Sequence, residues 1–243
     1  MTRREAYLLA GPTASGKSAA AALLARRIGA AILSADSMLV YRGMDVGTAK
    51  PSAAERAEFD MGGVDVVTPA EHFSSGAWLR AASLWLQSIP ASRPVVVVGG
   101  TGLYFSAMLR GLDREWVSPP PEYPVLQVPR AILHGRIEAR LDEMFMNGLA
   151  AEVAALRREY PVWSDTASAA IGYKEFIDGL PPSAVRERIL VRTRQLAKRQ
   201  DTWFRHQATP LYVPAGATAE ETASSVEAVW RARGPWTIAL PQP

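Results

Sequence analysis

The chain has 243 residues, of which 48% are hydrophobic and 21% are charged, the usage of an ordinary globular protein. This composition excludes a disordered chain, a collagen-like fibre and a coiled coil, and the absence of cysteine excludes disulfides, zinc ribbons and a cysteine nucleophile. The formal net charge of +3 permits a nucleic-acid partner without indicating one. No apolar run is long enough to span a bilayer and the N-terminus does not read as a secretory signal, so we expect a cytoplasmic protein that does not bind membranes.

Segments typical of strands and of helices alternate through the first 112 residues. Short apolar runs without polar alternation, as in strands covered on both faces, predict strands over 6–10, 31–35, 64–67 and 94–98. Stretches of strong helix formers predict a helix that follows residue 18 and ends at Gly29, and further helices over 52–58 and 74–89. The predicted fold class is therefore α/β, a P-loop NTPase-like parallel sheet flanked by helices, with a mostly helical C-terminal half.

The pattern changes after residue 112. The proline-rich segment 113–124 is incompatible with a helix or an interior strand, and we expect it to form a bridge. Beyond it the sequence predicts strands over 125–128 and 211–213, helices over 131–146, 148–159, 167–178, 183–206 and 218–232, and an irregular end. The predicted organisation is a first part of the core over 1–112, the bridge over 113–124, and the rest of the core with the C-terminal helices over 125–243.

The segment GPTASGKS at residues 11–18 matches the phosphate-loop motif G-x-x-x-x-G-K-[ST] in full, and it lies after a predicted strand and before a predicted helix. Its two glycines let the backbone wrap a phosphate with N–H groups, and the following helix directs its positive end at the anion. Lys17 adds a charge, and Ser18 can bind a magnesium ion that bridges phosphate oxygens. The motif predicts an oligophosphate ligand, and a nucleotide or a pyrophosphate ester would satisfy it equally.

Two more polar side chains follow predicted strands, at the edge where open α/β sheets bind ligands. Asp36 ends the second strand in the sequence SADS, and its carboxylate can hold a metal, orient a nucleophile, take a proton or only cap a turn. Thr101 follows the strand PVVVV in GGTGLY, where two glycines allow close approach of a ligand. No strand ends in a clear Walker-B pair of Asp and Glu, so the sequence favours a P-loop transferase or kinase over a motor protein or a GTPase.

The long helix predicted over 183–206 has a cationic surface that suits contact with RNA phosphates. Its cations form two stripes at helical spacing, Arg188, Arg192 and Arg199 near one and Arg194, Lys198 and Arg205 near the other. Trp203 follows Ile189 and Leu196 at a spacing of seven, which indicates core packing more than a platform for base stacking.

Three strings in the first half, GPTASGKS, SADSMLVYRGMDVGTAKPS and VVVVGGTGLY, together resemble the tRNA dimethylallyltransferase (tRNA isopentenyltransferase) family. The resemblance continues in RIEARLDEMFMNGLAAEVAAL at 136–156, AIGYKEF at 170–176 and TRQLAKRQDTWFR at 193–205. It covers residues 5–207 in order, and the string KRQDTWFR is much more specific than the phosphate loop alone.

The resemblance implies transfer of a dimethylallyl group from dimethylallyl diphosphate to the exocyclic amine of the adenosine 3′ of the anticodon in tRNA. It implies a diphosphate cradle formed by Gly11, Thr13, Ala14, Ser15, Gly16, Lys17 and Ser18. It also implies Mg²⁺ held through Ser18 and Thr101, Asp36 as general base, and Arg140 against the leaving pyrophosphate, so that Asp36, Thr101 and Arg140 form the catalytic set.

The partners that the resemblance implies are dimethylallyl diphosphate and the anticodon stem-loop of tRNA, and we expect the chain to act as a monomer. The residues implied in tRNA contact are Ser37, Leu39, Gly172, Tyr173, Lys174, Lys198, Arg199, Gln200, Thr202, Trp203 and Arg205.

The chain departs from the family pattern at two places. Leu39 stands where the family usually has a glutamine that is expected to hydrogen-bond the target adenine, and the loss of a polar group relaxes or abolishes base recognition. The chain is also several dozen residues shorter between Leu112 and Val125, where family members carry a helical insertion. These departures predict that the diphosphate half of the site is intact and that the RNA half is reduced or differently organised.

Three other functions remain open on the sequence: an isopentenyltransferase that acts on free adenine nucleotides, a small-molecule P-loop kinase, and a non-catalytic RNA-binding remnant. The first belongs to a compact branch that lacks the insertion, but the strings AIGYK and KRQDTWFR favour tRNA. A kinase needs a lid with arginines that face ATP, and 113–124 is a poor lid. Because of Leu39 and the shortened middle region, the third function, a non-catalytic RNA-binding remnant, also stays open.

Overall fold

The computed structural model describes residues 2–110 and 122–240. Its strands are β1 (Thr2–Ala10), β2 (Ala31–Ser34), β3 (Val95–Gly99), β4 (Glu122–Gln127), β5 (Thr209–Pro214) and β6 (Trp236–Leu240). Its helices are α1 (Lys17–Ile28), α2 (Ala53–Phe59), α3 (Ser75–Ser88), α4 (Gly102–Arg110), α5 (Arg130–Met146), α6 (Leu149–Glu159), α7 (Asp165–Ser168), α8 (Lys174–Ile177), α9 (Pro182–Gln207) and α10 (Ala219–Arg233). In this part of the chain, no helix has both the length and the apolar character that a membrane crossing needs.

The predicted fold class is confirmed: five strands form a parallel sheet in the order β2-β3-β1-β4-β5. Val97 of β3 pairs with Leu8 of β1 on one side and with Leu33 of β2 on the other. Because β3 lies between β1 and β2, the segments that follow these three strands lie side by side at the carboxyl edge of the sheet. This order brings together the phosphate loop, Thr101 and Asp36.

The core surrounds β1, β2 and β3, whose central residues are buried without alternation because helices cover both faces of the sheet. The right-handed crossover rule places α1 and α3 on opposite faces, since one leads from β1 out to β2 and the other leads back from β2 to β3. On α3 the buried Trp78 stacks on Tyr104 with ring centroids 4.4 Å apart. Its indole N–H donates to the carbonyl of Ser34 at 3.0 Å, which fixes the end of β2 next to the site.

The chain end that was expected to be irregular is the strand β6, which pairs antiparallel with the first half of β1. Trp236 and Ile238 are buried whereas Thr237 between them is exposed. This alternation is the signal of a half-buried strand, and the flanking prolines at positions 235 and 241 obscured it in the sequence.

Two more element predictions are wrong for local backbone reasons. The segment 64–67 is not a strand: this region meets its neighbours only through the isolated bridges Leu33↔Gly62 and Tyr41↔Val67, and Asp65 adopts a left-handed φ of 53°. The helix predicted over 167–178 is two short helices, α7 and α8, because Gly172 between them has a φ of 96° that a helix does not accommodate.

The strand predicted over 125–128 begins earlier, at Glu122, and contains Pro124. Pro124 pairs with Leu211 of β5, whereas β4 meets β1 only at Val125. A proline fits here because this part of the strand has a neighbour on one side only. The rest of the predicted bridge, residues 113–121, lies outside the described residues.

We expect Ile238→Ala to lower the free energy of unfolding by about 3 kcal/mol, because it removes a fully buried side chain from β6. Thr237→Ala on the same strand is the matched control, and an exposed site of this kind changes stability by less than about 0.5 kcal/mol. Urea unfolding followed by circular dichroism measures both. Equal effects of the two substitutions would show that β6 is not part of the core.

Candidate active site at the carboxyl edge of the sheet

The phosphate loop occupies the turn between β1 and α1, as predicted. Ala14 and Gly16 have left-handed φ angles of 61° and 88°, and such residues among right-handed ones turn successive N–H groups toward one point and form an anion-binding nest. The Ser15 N–H donates to the carbonyl of Pro12 at 3.3 Å, which closes the loop on itself. α1 starts at Lys17 with Gly16 as its N-cap, so its positive end lies at the same point.

Lys17 is buried, and this burial lowers the pKa of its ammonium group to about 8. The carboxylate of Asp36 opposes the shift and the guanidinium of Arg140 adds to it. The pKa of Arg140 is in turn lowered, mainly by burial, with Asp36 and Glu143 opposing. The structure therefore brings Lys17, Asp36 and Arg140 into one electrostatic cluster.

Asp36 and Thr101 belong to two turns that are tied together. Oδ1 of Asp36 accepts the N–H of Met38 at 2.9 Å. The hydroxyl of Thr101 accepts the N–H of Ser37 at 2.9 Å and lies 3.3 Å from the Ser37 hydroxyl, to which it donates. Close approach of the turns requires glycine at position 99, where a Cβ would lie 2.0 Å from the carbonyl oxygen of Ala35. Thr101 thus holds the segment that carries Asp36.

Two cavities meet at Asp36 and Arg140, which line both of them together with Thr13 and Thr48. The first, of about 300 Å³, is called the Lys17 cavity, and its further lining includes Lys17, Ser18, Ile32, Leu39, Phe59 and Met61. The second, of about 420 Å³, is called the Thr101 cavity, and its further lining includes Ser37, Thr101, Ile137, Leu141, Ile171 and Arg199. The Asp36 carboxylate and the Arg140 guanidinium therefore border both cavities.

Ser18 and Thr101, the residues predicted to share a magnesium ion, line different cavities. Ser18 lines the Lys17 cavity and Thr101 lines the Thr101 cavity, and the two residues do not occur together in either lining.

The string KRQDTWFR contributes to the wall of the site as well as to the surface. Oε1 of Gln200 accepts the N–H of Thr13 at 2.8 Å, and its amide Nε2 donates to the carbonyl of Gly100 at 3.0 Å. The half-buried indole of Trp203 lies against Gly102, where a Cβ would come within 2.1 Å of the ring. The remaining members predicted to contact tRNA are exposed: Lys198, Arg199, Thr202 and Arg205.

The structure corrects the expectation for the Tyr173 side chain. It is fully buried, and its hydroxyl donates to Oε1 of Glu152 at 2.6 Å, so it is not available at the surface. Its burial, followed by the nearby Glu152 carboxylate, raises the pKa of this hydroxyl. Gly172 is buried as well, and Lys174 forms an ion pair with Asp178 at 2.8 Å.

Two residues of the site were missed in the sequence. The carboxylate of Glu152 accepts the N–H groups of Asp45, Val46 and Gly47 at 3.0, 2.7 and 3.2 Å in addition to the Tyr173 hydroxyl, and so fixes the loop that carries Thr48. No local sequence pattern predicts such a contact, because Glu152 and Gly47 are 105 residues apart in the sequence.

The other missed residue is Arg136, whose guanidinium donates to the carbonyls of Ser15 and Gly216, both at 3.3 Å. It clamps the phosphate loop from outside. The four-residue spacing between Arg136 and Arg140 in RIEAR was the available signal, since residues at this spacing share one face of a helix.

The chain is similar in sequence and in fold to known proteins. The family model described as IPP transferase matches residues 39–128 and 119–207, and the model described as Isopentenyl transferase matches residues 4–60. A tRNA dimethylallyltransferase of Azoarcus sp. is 35% identical over 281 aligned positions, with 82% of this chain and 87% of the relative covered. The chain belongs to the tRNA dimethylallyltransferase family.

Two further members of the tRNA dimethylallyltransferase family show the same relationship. The enzyme of Thiobacillus denitrificans is 36% identical, with 82% of this chain and 88% of the relative covered. The crystal structure of the full-length tRNA isopentenylpyrophosphate transferase from Bacillus halodurans superposes with a TM-score of 0.77 at 25% identity, with 94% of this chain and 99% of that chain covered.

The alignments also show that relatives have residues which this chain lacks. The Azoarcus alignment runs over 281 positions although only 82% of this chain lies in it, so it contains many positions at which this chain has no residue. The IPP transferase model matches in two pieces that overlap at 119–128, and the shortened middle at 113–124 stays a prediction.

The depressed pKa of Lys17 predicts how affinity for a diphosphate depends on pH. Below about pH 8 Lys17 is charged in the free protein. Above this pH, binding must also take up a proton, so affinity falls by up to about tenfold per pH unit. Calorimetric titration of dimethylallyl diphosphate between pH 7 and 9.5 measures the effect. Lys17→Arg is the control, because arginine stays charged throughout; a flat wild-type profile would contradict the shifted pKa.

The contacts of Glu152 predict that Glu152→Ala lowers the free energy of unfolding by about 3 kcal/mol, since three backbone N–H groups and one hydroxyl lose their acceptor. Tyr173→Phe removes only one donor from the same carboxylate and should cost about 1 kcal/mol. Guanidinium unfolding of the two variants tests this order. A loss for Glu152→Ala no greater than for Tyr173→Phe would refute the role of Glu152 in fixing the loop.

Proposed function

We propose that this protein transfers a dimethylallyl group from dimethylallyl diphosphate to the exocyclic amine of the adenosine 3′ of the anticodon in tRNA. The observation that carries the proposal is the meeting of two cavities at Asp36 and Arg140, beside the phosphate loop. Relatives 35% and 36% identical that are named tRNA dimethylallyltransferases support the same activity.

The diphosphate is the leaving group, and the reaction needs its charge to be stabilised as the allylic carbon–oxygen bond breaks. Lys17 and Arg140 supply two cations, and the nest of N–H groups at Ala14 to Gly16 supplies fixed dipoles. The loop that carries the nest and leads to Lys17 is already held in place, because Gln200 and Arg136 each hydrogen-bond to it. Preorganised donors of this kind lower the barrier without the cost of reorientation.

Mg²⁺ fits this arrangement as the companion of the diphosphate. Ser18 and Thr101 each contribute a hydroxyl group to one of the two cavities that share Asp36, and Mg²⁺ prefers oxygen donors combined with substrate phosphates. When bound, the ion neutralises charge on the departing pyrophosphate. Ser18 and Thr101, the residues that the resemblance implies, would be the protein groups that hold it.

Asp36 acts as the general base. A bond forms between the adenine nitrogen and the allylic carbon, the carbon–oxygen bond to the diphosphate breaks, and the proton from the nitrogen passes to the Asp36 carboxylate. The amine is barely acidic, so this transfer matters most as positive charge develops on nitrogen. The hydrogen bond from Met38 and the Thr101–Ser37 contacts hold the carboxylate in place for it.

The RNA enters with its target base out of the stack, since a base in a stack cannot reach a carbon enclosed in the protein. Unpaired loop bases meet this requirement at little cost. Leu39, which the resemblance implies in contact with the target base, lines the Lys17 cavity and does not occur among the described residues that line the Thr101 cavity.

Incubation with labelled dimethylallyl diphosphate and Mg²⁺, in parallel with total tRNA, AMP and ATP, tests the proposal. We expect label in tRNA. Label in AMP or ATP would instead identify an isopentenyltransferase of free nucleotides, and label in none of them would leave a kinase or a non-catalytic RNA-binding protein.

Asp36→Asn should lower kcat for prenyl transfer by about 10²- to 10⁴-fold, the usual contribution of a general base. The affinity for dimethylallyl diphosphate should stay close to that of the wild type, because the amide keeps the shape of the carboxylate and can still accept the Met38 N–H. Single-turnover kinetics and calorimetry separate the two effects. Wild-type kcat in Asp36→Asn would remove Asp36 from the reaction.

A further inference from the structure

We propose that the inner end of the Lys17 cavity holds the prenyl chain of the diphosphate substrate and limits it to five carbons. The inference rests on the proposed function and adds to it the residues that select the length of the transferred group. The part of the cavity that is lined by Ala22, Ile32, Phe59 and Met61 is called the prenyl arm.

The prenyl arm extends from the phosphate loop into the protein, away from the carboxyl edge of the sheet. On α1, Ser18 and Ala22 both line the cavity, and one helical turn of about 6 Å separates them. On β2, Ser34 and Ile32 both line it, and two strand residues span about 7 Å. Each of these two walls therefore changes from a hydroxyl side chain near the phosphate loop to an apolar side chain farther in.

Phe59 closes the inner end of the prenyl arm. Its side chain is 4% exposed, and the guanidinium of Arg26 lies 5.0 Å from the centroid of its ring. Because Arg26 follows Ala22 by four residues on the same face of α1, the ring lies on the side of Ala22 that is remote from the phosphate loop. Nη2 of Arg26 in turn donates to Oε2 of Glu58 at 2.9 Å. The end wall is therefore fixed by contacts that lie outside the cavity.

Met61 forms a side wall whose backbone is held beside β2. The N–H of Met61 donates to the carbonyl of Arg56 at 3.1 Å. The next residue, Gly62, donates to the carbonyl of Ile32 at 2.9 Å and accepts the N–H of Ser34 at 2.8 Å. The Met61 side chain is half-buried and packs against the core. Its truncation therefore enlarges the prenyl arm and leaves the fully buried core residues in place.

The charged side chains on the outer wall of the Lys17 cavity are already engaged by other protein groups. Oε2 of Glu55 accepts the N–H of Ser52 at 2.9 Å. The ammonium group of Lys50, whose side chain is fully buried, pairs with Asp65 at 2.7 Å. A hydrocarbon chain in the prenyl arm therefore gains apolar contacts without depriving these charges of their partners.

The size of the cavity fits a short chain. The entire Lys17 cavity, including the space beside Lys17 and Arg140, is about 300 Å³, which is at the lower limit for ligand sites. With the diphosphate at the phosphate loop, a five-carbon chain reaches Ala22, whereas a ten-carbon chain would meet Phe59. Since a packed protein interior yields little to an added group, the prenyl arm selects against the longer chain by steric exclusion.

Calorimetric titration of the full-length protein with methyl, dimethylallyl and geranyl diphosphate in the presence of Mg²⁺ tests the proposal. The three esters carry the same charge, so differences in their Kd report the chain alone. Ala22→Leu fills the prenyl arm, and Met61→Ala enlarges it. Ala81→Leu is the matched control, because Ala81 is a half-buried alanine on α3, outside both cavities. Thermal unfolding shows whether each variant is folded, and either arm variant alone is decisive.

The wild type should bind dimethylallyl diphosphate about 10²-fold more tightly than methyl diphosphate, because each buried CH₂ group contributes about fourfold. It should bind geranyl diphosphate about tenfold more weakly than dimethylallyl diphosphate, because the longer chain overfills the arm. Ala22→Leu should raise the Kd of dimethylallyl diphosphate about tenfold, and Met61→Ala should lower the Kd of geranyl diphosphate about tenfold. Neither substitution should change the Kd of methyl diphosphate, and Ala81→Leu should match the wild type with all three esters.

The proposal is overturned if the folded arm variants keep the wild-type preference among the three esters. It is also overturned if Ile137→Ala, in the Thr101 cavity, changes that preference while the arm variants do not, because the chain then occupies the other cavity. If the wild type binds none of the esters, the proposed function fails and this inference fails with it. A preference for five carbons that depends on Ala22 and Met61, without transfer to tRNA, would refute the proposed function and support this inference.

Discussion

The position of β3 between β1 and β2 is the constraint on which the site depends. It makes the chain leave three adjacent strands at one edge, with the phosphate loop after β1, the Gly100–Thr101 turn after β3 and Asp36 after β2. Gly99 allows the last two turns to approach closely, and the Thr101 hydroxyl then joins them through Ser37. As a result, the ammonium group of Lys17 is buried and interacts with the Asp36 carboxylate. Because electrostatic interactions are stronger where water is excluded, this ammonium group attracts an anion strongly.

Elements far from the phosphate loop in sequence hold this arrangement together. Gln200 of α9 and Arg136 of α5 anchor the loop from two sides, and Glu152 of α6 fixes the segment that carries Thr48. The C-terminal helices are therefore part of the active site, although the sequence pattern presents them chiefly as an RNA-binding surface. Helix α9 both lines the Thr101 cavity, through residues such as Arg192 and Leu196, and presents Lys198 and Arg205 at the surface.

The sequence predicted what depends on local pattern. The motif GPTASGKS and the run PVVVV placed the loop and the central strand correctly, since turn chemistry and continuous burial are visible within a few residues. The sequence-based predictions failed where the structure depends on contacts between segments that are distant in the sequence. The strand Trp236–Leu240 exists because β1 offers it a partner, and the Tyr173 hydroxyl is buried because Glu152 meets it from another helix. Gln200 was identified by its motif, but its contact with Thr13 required the folded chain.

The most direct test of the central claim, that the phosphate loop holds a prenyl diphosphate instead of a nucleoside triphosphate, is competitive equilibrium dialysis. The purified protein is loaded with labelled dimethylallyl diphosphate and Mg²⁺ and is challenged with ATP. This account predicts saturable, magnesium-dependent binding that equimolar ATP does not displace. Absence of binding at millimolar dimethylallyl diphosphate, or its displacement by equimolar ATP, would contradict the account.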